Sequence, residues 1–189
     1  VAQGYEKVAE MSVYLKFKLK PGQKIEDFTT NDKTYVLSWT TTPWTLPGNI
    51  ALAVGKDIAY RNLTIEKLEK NAPNHNFKFK EGETYIFAAS LEVGSRLFGG
   101  QQINDMVDGN RDVSDVSFKV NGEDAHIFFG NNSSGNLNGN NLIGLEYEPL
   151  FDIPALRSDK SYKIYPADFV STDDGTGVVH TAVMYGEDD

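Results

Sequence analysis

From Ser12 to Lys20 the residues alternate without exception, with Val13, Leu15, Phe17 and Leu19 on one face and Tyr14, Lys16, Lys18 and Lys20 on the other. A period of two is the mark of a half-buried β-strand and is incompatible with a helix, whose faces recur every 3.6 residues. Such a strand cannot stand alone, because its edges and its apolar side both need partners. The rest of the chain offers them. Pro21-Gly22 ends the run, and after a polar loop Thr34 to Thr40 reads as a second strand, rich in β-branched and aromatic residues and able to pair with the first as a long hairpin. Ile50 to Val54, Ala59 to Leu63 and Thr84 to Ala88 read as further strands, and Ser90 to Phe98 has the spacing of a short helix closed by Gly99-Gly100. Val116 to Val120 and Ala125 to Phe129 flank Asn121-Gly122, a pair that tolerates positive φ and so predicts a hairpin.

Gly130 to Asn141 is all Asn, Gly and Ser except Leu137, and is expected to be a mobile surface loop. Apolar density returns at Leu142 to Phe151 and Tyr162 to Tyr165, and Gly177 to Ala182 reads as a short buried strand. With no fixed-period repeat and no linker between two cores, residues 1–189 are expected to form a single domain of strand-dominated α+β class. The length suffices for a real core.

Charge and composition remove several kinds of function. Acidic residues outnumber basic ones 27 to 18, a formal charge of −9, which argues against gripping nucleic acid by its phosphates alone. With no cysteine there is no disulfide framework, thiolate zinc site or thiol nucleophile, which fits a reducing cytosol. No apolar run approaches the ~18 residues of a membrane helix, and Val1 to Glu10 lacks the pattern of a signal peptide. A cytoplasmic protein with no membrane contact is therefore expected. The Val at position 1 and the polar Glu-Asp-Asp end suggest a fragment of a longer chain.

Two segments are unusual enough to be sites. In Trp39-Thr40-Thr41-Thr42-Pro43-Trp44-Thr45-Leu46-Pro47-Gly48-Asn49, threonines at a strand end run into a rigid turn, so that hydroxyls and freed backbone groups face a common volume. In the stretch from Ser171 to Asp189, a Gly-flanked turn leads into a strand carrying His180, and Glu187, Asp188 and Asp189 follow Gly186. Plain readings stand beside both: threonine is a good strand residue, a strand histidine is often a satisfied core residue, and an acidic end is usually a solvated tip. Other chemistries find no support. Asp174-Gly175-Thr176-Gly177 is not an aspartic-protease motif and has no second copy for a dyad. His75, His126 and His180 lie far apart with no metal-ligand spacing, and no phosphate-binding loop, dinucleotide fingerprint or nucleophile elbow occurs.

The Trp39–Asn49 segment closely resembles the threonine-rich motif of the editing (CP1) domain inserted in isoleucyl-tRNA synthetases, of the class I aminoacyl-tRNA synthetase family. Gly177-Val178-Val179-His180-Thr181-Ala182 with Gly186-Glu187-Asp188-Asp189 resembles that domain's second motif, and Gly144 to Phe151 its intervening segment. The matches are ordered and span Tyr14 to Asp189. Valyl and leucyl relatives typically carry Arg after two threonines and an acidic residue after the proline; Thr42 and Trp44 stand there in this chain, which selects the isoleucine type. Val183 replaces the family's usual proline after His-Thr-Ala and Met184 follows it, so that this loop is expected to be less rigid. The His-x-Gly-His and Lys-Met-Ser-Lys-Ser signatures of the aminoacylation site are absent, so activation of isoleucine by the family's route is not expected.

The resemblance implies a β-barrel-centred fold and hydrolysis of the ester of Val-tRNA(Ile), with isoleucine excluded by size. A second site is needed because one methylene is worth only about 1–3 kcal/mol in a hydrophobic pocket, a general value for which this amino-acid pair is the standard case. The resemblance assigns the carboxylate that holds the substrate ammonium to Asp189, nine residues after His180, with Asp188 and Glu187 as weaker candidates. Thr41 and Thr42 would serve the oxyanion and the attacking water. Asn49 would bond the amino-acid or ribose portion, and Trp44, Thr45 and His180 would wall the pocket, His180 alternatively acting as general base. Neither metal nor organic cofactor is implied; ATP and Mg belong only to a full-length synthetase. The implied partners are the aminoacylated 3′ end of tRNA(Ile), its valine moiety and the rest of the synthetase chain, with the domain itself a monomer and weakly active alone. Lys16, Lys18 and Lys20 either touch the acceptor end or form a solvated face. The rival is a non-catalytic module of the same fold that only binds an aminoacyl-adenosine end.

Overall fold

The computed structural model describes residues 12–70, 77–98, 115–120, 123–130, 137–173 and 175–182. The alternating segment forms β1 (Val13–Lys18), antiparallel to β4 (Thr34–Thr40), with Phe17 opposite Val36 and Val13 opposite Thr40. The connection between them contains a small pair, β2 (Lys24–Ile25) and β3 (Phe28–Thr29). Beyond β4 lies β7 (Thr84–Ala88), which is parallel to it, then β6 (Ala59–Leu68), then β9 (Glu123–Phe129) and β8 (Asp115–Val120), giving the order β1-β4-β7-β6-β9-β8. All five residues of β7 are buried. A strand flanked on both edges and covered on both faces has no polar side, which is why Tyr85-Ile86-Phe87-Ala88 does not alternate.

A second sheet, β11-β5-β12, is built from β5 (Asn49–Val54), parallel to β11 (Lys163–Pro166) and antiparallel to β12 (Val178–Ala182). Between the sheets lies a contiguous core that includes Phe17, Leu37, Leu52, Tyr60, Ile86 and Ile164. Helix α1 (Leu91–Phe98) begins where Ser90 Oγ accepts the Val93 N–H at 3.1 Å, and it buries Val93, Leu97 and Phe98. The Phe98 ring stacks on Phe79 with centroids 4.9 Å apart. No described helix is long and apolar enough to cross a membrane.

Three expectations change. The strand-dominated α+β class holds, but the sheets are not a closed barrel: the pairing path is open from β1 to β8, and Leu19, next to β1, bridges to Tyr147 instead. β6 continues five residues past Leu63, because Ile65, Lys67 and Leu68 pair with Phe129, Phe128 and Ile127 of β9; the charges at Glu66 and Lys67 hide the strand while remaining exposed. The low-complexity stretch is not loop to its end. Residues 131–136 lie outside the described set, but β10 (Leu137–Asn138) adds to β6 and α2 (Gly139–Leu142) follows, with Leu137 and Leu142 buried. Glycine is needed in the middle of this segment, since a Cβ on Gly139 would stand 2.0 Å from the Gly55 carbonyl oxygen. The paired strands flanking Asn121-Gly122 bear out the hairpin, Val120 facing Glu123, though the two turn residues lie outside the described set, as do Gly99 and Gly100.

One buried charge stands apart. Arg61, in β6 opposite Phe87, is 3% exposed, and its Nε and Nη2 have no hydrogen-bond partner among the described residues. Burial pushes its pKa down from the usual arginine value. A buried charge without a partner costs stability, and replacing buried ion pairs by apolar side chains of similar volume is often neutral to stabilising, by about 1–4 kcal/mol. Arg61→Met is therefore expected to raise the midpoint of thermal unfolding; a clear fall would mean that the guanidinium stabilises the fold.

Candidate functional site

The threonine-rich motif folds as its residues dictate. β4 ends at Thr40, and Pro43 starts a 3-10 helix over Pro43–Gly48, with Pro47 inside it, that turns the chain into β5. The freed polar groups pair locally: Thr42 N donates to Thr40 Oγ1 at 3.1 Å, the Thr40 and Thr42 hydroxyls lie 3.2 Å apart, and Thr45 Oγ1 donates to the Thr42 carbonyl at 2.8 Å. Thr45 is buried and Thr42 exposed.

The second motif arrives from the far end of the chain. His180 in β12 sits opposite Leu52 of β5, and its Nε2 lies 3.2 Å from Thr45 Oγ1. With the Thr45 hydroxyl hydrogen on the Thr42 carbonyl, the imidazole tautomer that fits this contact is the one protonated on Nε2, which donates to Thr45 and keeps its lone pair on Nδ1. Nε2 thus faces protein, not an open volume.

Each sequence-assigned residue can now be placed. Thr41 lines a cleft of about 230 Å3 with Trp39, Thr40, Phe169, Ser171 and the segment Gly175–Val179. Thr42, Thr45 and His180 come together as described. Trp44 is 69% exposed, so its indole closes off nothing by itself. Asn49 is 4% exposed and its amide is fully used on protein: Nδ2 donates to the Ala51 and Thr181 carbonyls at 2.9 and 3.2 Å, and Oδ1 accepts from Tyr147 OH at 2.7 Å. Its place is that of a clamp between β5, β12 and Tyr147. Asp189, Asp188, Glu187, Val183 and Met184 lie outside the described residues. The lysine face is partnered, Lys16 with Glu83 at 2.6 Å, Lys18 with Glu148 at 2.9 Å and Lys20 with Glu146 at 2.5 Å, so each positive charge has a carboxylate beside it. Among the described residues no cluster of histidine and carboxylate side chains has the makings of a metal site.

Several positioning groups escaped the sequence. Ser38 Oγ donates to the Val178 carbonyl at 2.8 Å, Tyr60 OH to the Gly177 carbonyl at 2.6 Å, and Thr176 Oγ1 to the Leu37 carbonyl at 2.7 Å. Burial raises the pKa of Tyr60 and Tyr147, so both remain neutral donors. Their partners are more than a hundred residues away, or nearly so, and no local signal marks them. A larger cavity, about 730 Å3, lies elsewhere, between Lys20, Asp152, Arg157, Tyr162 and Glu146 to Pro149 of the intervening segment, and is lined by no residue of the threonine-rich turn or of the second motif.

No protein-family model matches the chain. It is 32% identical, over its full length, to isoleucine–tRNA ligase of Clostridium kluyveri, of which it spans 13%, and 35% identical over 83% of its length to isoleucine–tRNA ligase of Wolbachia pipientis wMel, of which it spans 14%. The chain thus covers about an eighth of the curated relatives it matches. Among solved structures, the cytosolic leucyl-tRNA synthetase editing domain of P. knowlesi is 13% identical with a TM-score of 0.47, covering 94% of this chain and 61% of that one.

Proposed function

We propose that this chain, which is related over its whole length to one segment of the isoleucine–tRNA ligases, is the hydrolytic editing domain of such an enzyme, clearing valine from tRNA(Ile). One observation carries the reading: Thr45 of the threonine-rich turn and His180 of the second motif, 135 positions apart, meet at 3.2 Å beside a small cleft that Thr41 lines. The pairing of β12 with β5, into which the threonine-rich turn runs, brings the two motifs to one place.

In this reading water adds to the ester carbonyl carbon, and the tetrahedral oxyanion collapses as the ribose oxygen leaves and takes up a proton. The hydroxyls of Thr41 and Thr42 give and accept the hydrogen bonds that this change of charge requires, and the Asp189 carboxylate holds the substrate ammonium. Neither threonine serves as nucleophile in this reading, since the Nε2 of His180, the one described base near them, lies on Thr45 and on neither of them. His180 and Thr45 form the wall that excludes the extra methylene of isoleucine. An aminoacyl ester is labile enough that positioning a water suffices, without metal or cofactor. The partners are the aminoacylated tRNA end and the remainder of the synthetase, which carries the basic surface this −9 chain lacks.

The test is deacylation of Val-tRNA(Ile) and Ile-tRNA(Ile) by this chain at high concentration. Valine is expected to be released selectively, and His180→Ala is expected to raise isoleucine release toward the valine rate. Loss of both rates in that variant would make His180 the base instead of the wall. No release by the unaltered chain, together with binding of a valyl-adenosine analogue, would leave a binding module.

A further inference from the structure

We propose that Arg96, outside both motifs, is a positioning residue of the site, setting through two main-chain carbonyls the wall of the cleft and the strand that carries His180; this rests on the reading just given. Arg96 lies in the last turn of α1. Its Nη1 donates to the Gly175 carbonyl at 3.0 Å and its Nη2 to the Asp173 carbonyl. A guanidinium is planar and always charged, so one side chain fixes the separation and direction of both acceptors. The helix behind it is firmly held, since Val93, Leu97 and Phe98 are buried in the core.

From Thr176 onward the main sheet takes over. Ala88 N donates to the Thr176 carbonyl at 2.9 Å, Tyr60 OH to that of Gly177 and Ser38 Oγ to that of Val178. Among the described residues Arg96 alone holds the chain before that point by a side chain from outside the sheets. Gly175, Thr176, Gly177, Val178 and Val179 line the cleft together with Trp39, Thr40 and Thr41. Arg96 therefore fixes the start of the segment that lines the cleft beside the threonines, and His180 lies two residues past Val178 in the strand that this segment becomes. A misplacement of about 1 Å at a reacting centre costs on the order of 10²-fold in rate.

The experiment compares Arg96→Ala and Arg96→Lys with the unaltered chain in three readouts: the imidazole resonances of His180 without substrate, kcat and KM for release of valine from Val-tRNA(Ile), and the thermal midpoint. Arg96→Ala is expected to stay folded, to shift the His180 resonances and to lower kcat by about 10- to 100-fold with little change in KM. Added guanidinium ion restores part of kcat, and Arg96→Lys, with one point charge for two acceptors, falls between. Unmoved His180 resonances with unchanged kcat, or a fall in thermal midpoint as the sole effect, would overturn the proposal. The resonances report on positioning even if the unaltered chain releases no valine, which would refute the editing reading and not the placement by Arg96.

Discussion

Gly177→Ala is expected to destabilise the fold by about 2–5 kcal/mol and to abolish valine release in the same step. Two costs add. Gly177 has φ +71°, a left-handed conformation that costs a residue with a Cβ roughly 1–2 kcal/mol. Its added Cβ would also stand 2.4 Å from the Ala88 Cβ, and overpacking a filled core costs typically about 1–3 kcal/mol. Ala88 is buried in the central strand β7 and cannot move aside, so β12 must shift instead. That shift pulls the Gly177 carbonyl from Tyr60 OH and His180 from Thr45. Denaturant unfolding of Gly177→Ala and of the double variant with Ala88→Gly separates the two costs. The second substitution removes the clash but not the backbone strain, so recovery should be partial. Full stability in Gly177→Ala alone would show that Gly177 is not packed against Ala88 as described.

Asp189→Ala is expected to have the opposite profile, with little change in stability and a loss of roughly 2–5 kcal/mol in kcat/KM for the valyl ester. At 1.36 kcal/mol per decade this is about 30- to several-thousand-fold. The substrate carries an ammonium group beside the scissile bond, and removing its counter-charge leaves that cation desolvated. Asp189→Asn, of equal size but without the charge, should lose nearly as much. Asp188→Ala and Glu187→Ala should retain most of the activity. Equal loss from all three would place the ammonium in a diffuse acidic field, and full activity of Asp189→Ala would remove the residue from the site.

The strands were legible where one local rule governed them. Two-residue alternation located β1, β-branched density located β4, and Asn121-Gly122 located the turn between β8 and β9, since each depends on neighbours in the chain. The rule failed where tertiary pairing overrode composition. Glu66 and Lys67 continue β6 because β9 lies beside them, and Leu137 is buried because β6 accepts it, although the sequence around it is all Asn, Gly and Ser. The open sheet also departs from the expected barrel, because the residue after β1 is taken by Tyr147.

The site divides in the same way. Pro43 and Pro47 make the threonine-rich turn rigid whatever surrounds it, and the motifs with their order single out Thr41, Thr42, Thr45 and His180 as candidates from the chain alone. What each of them touches came from the folded arrangement. It turned Nε2 of His180 toward Thr45, used the amide of Asn49 as a clamp between strands, left Trp44 exposed, and tied Gly175, Gly177 and Val178 to Arg96, Tyr60 and Ser38. The reason is physical: a hydrogen bond has a direction and a length, and both are set by where two strands far apart in the chain come to rest.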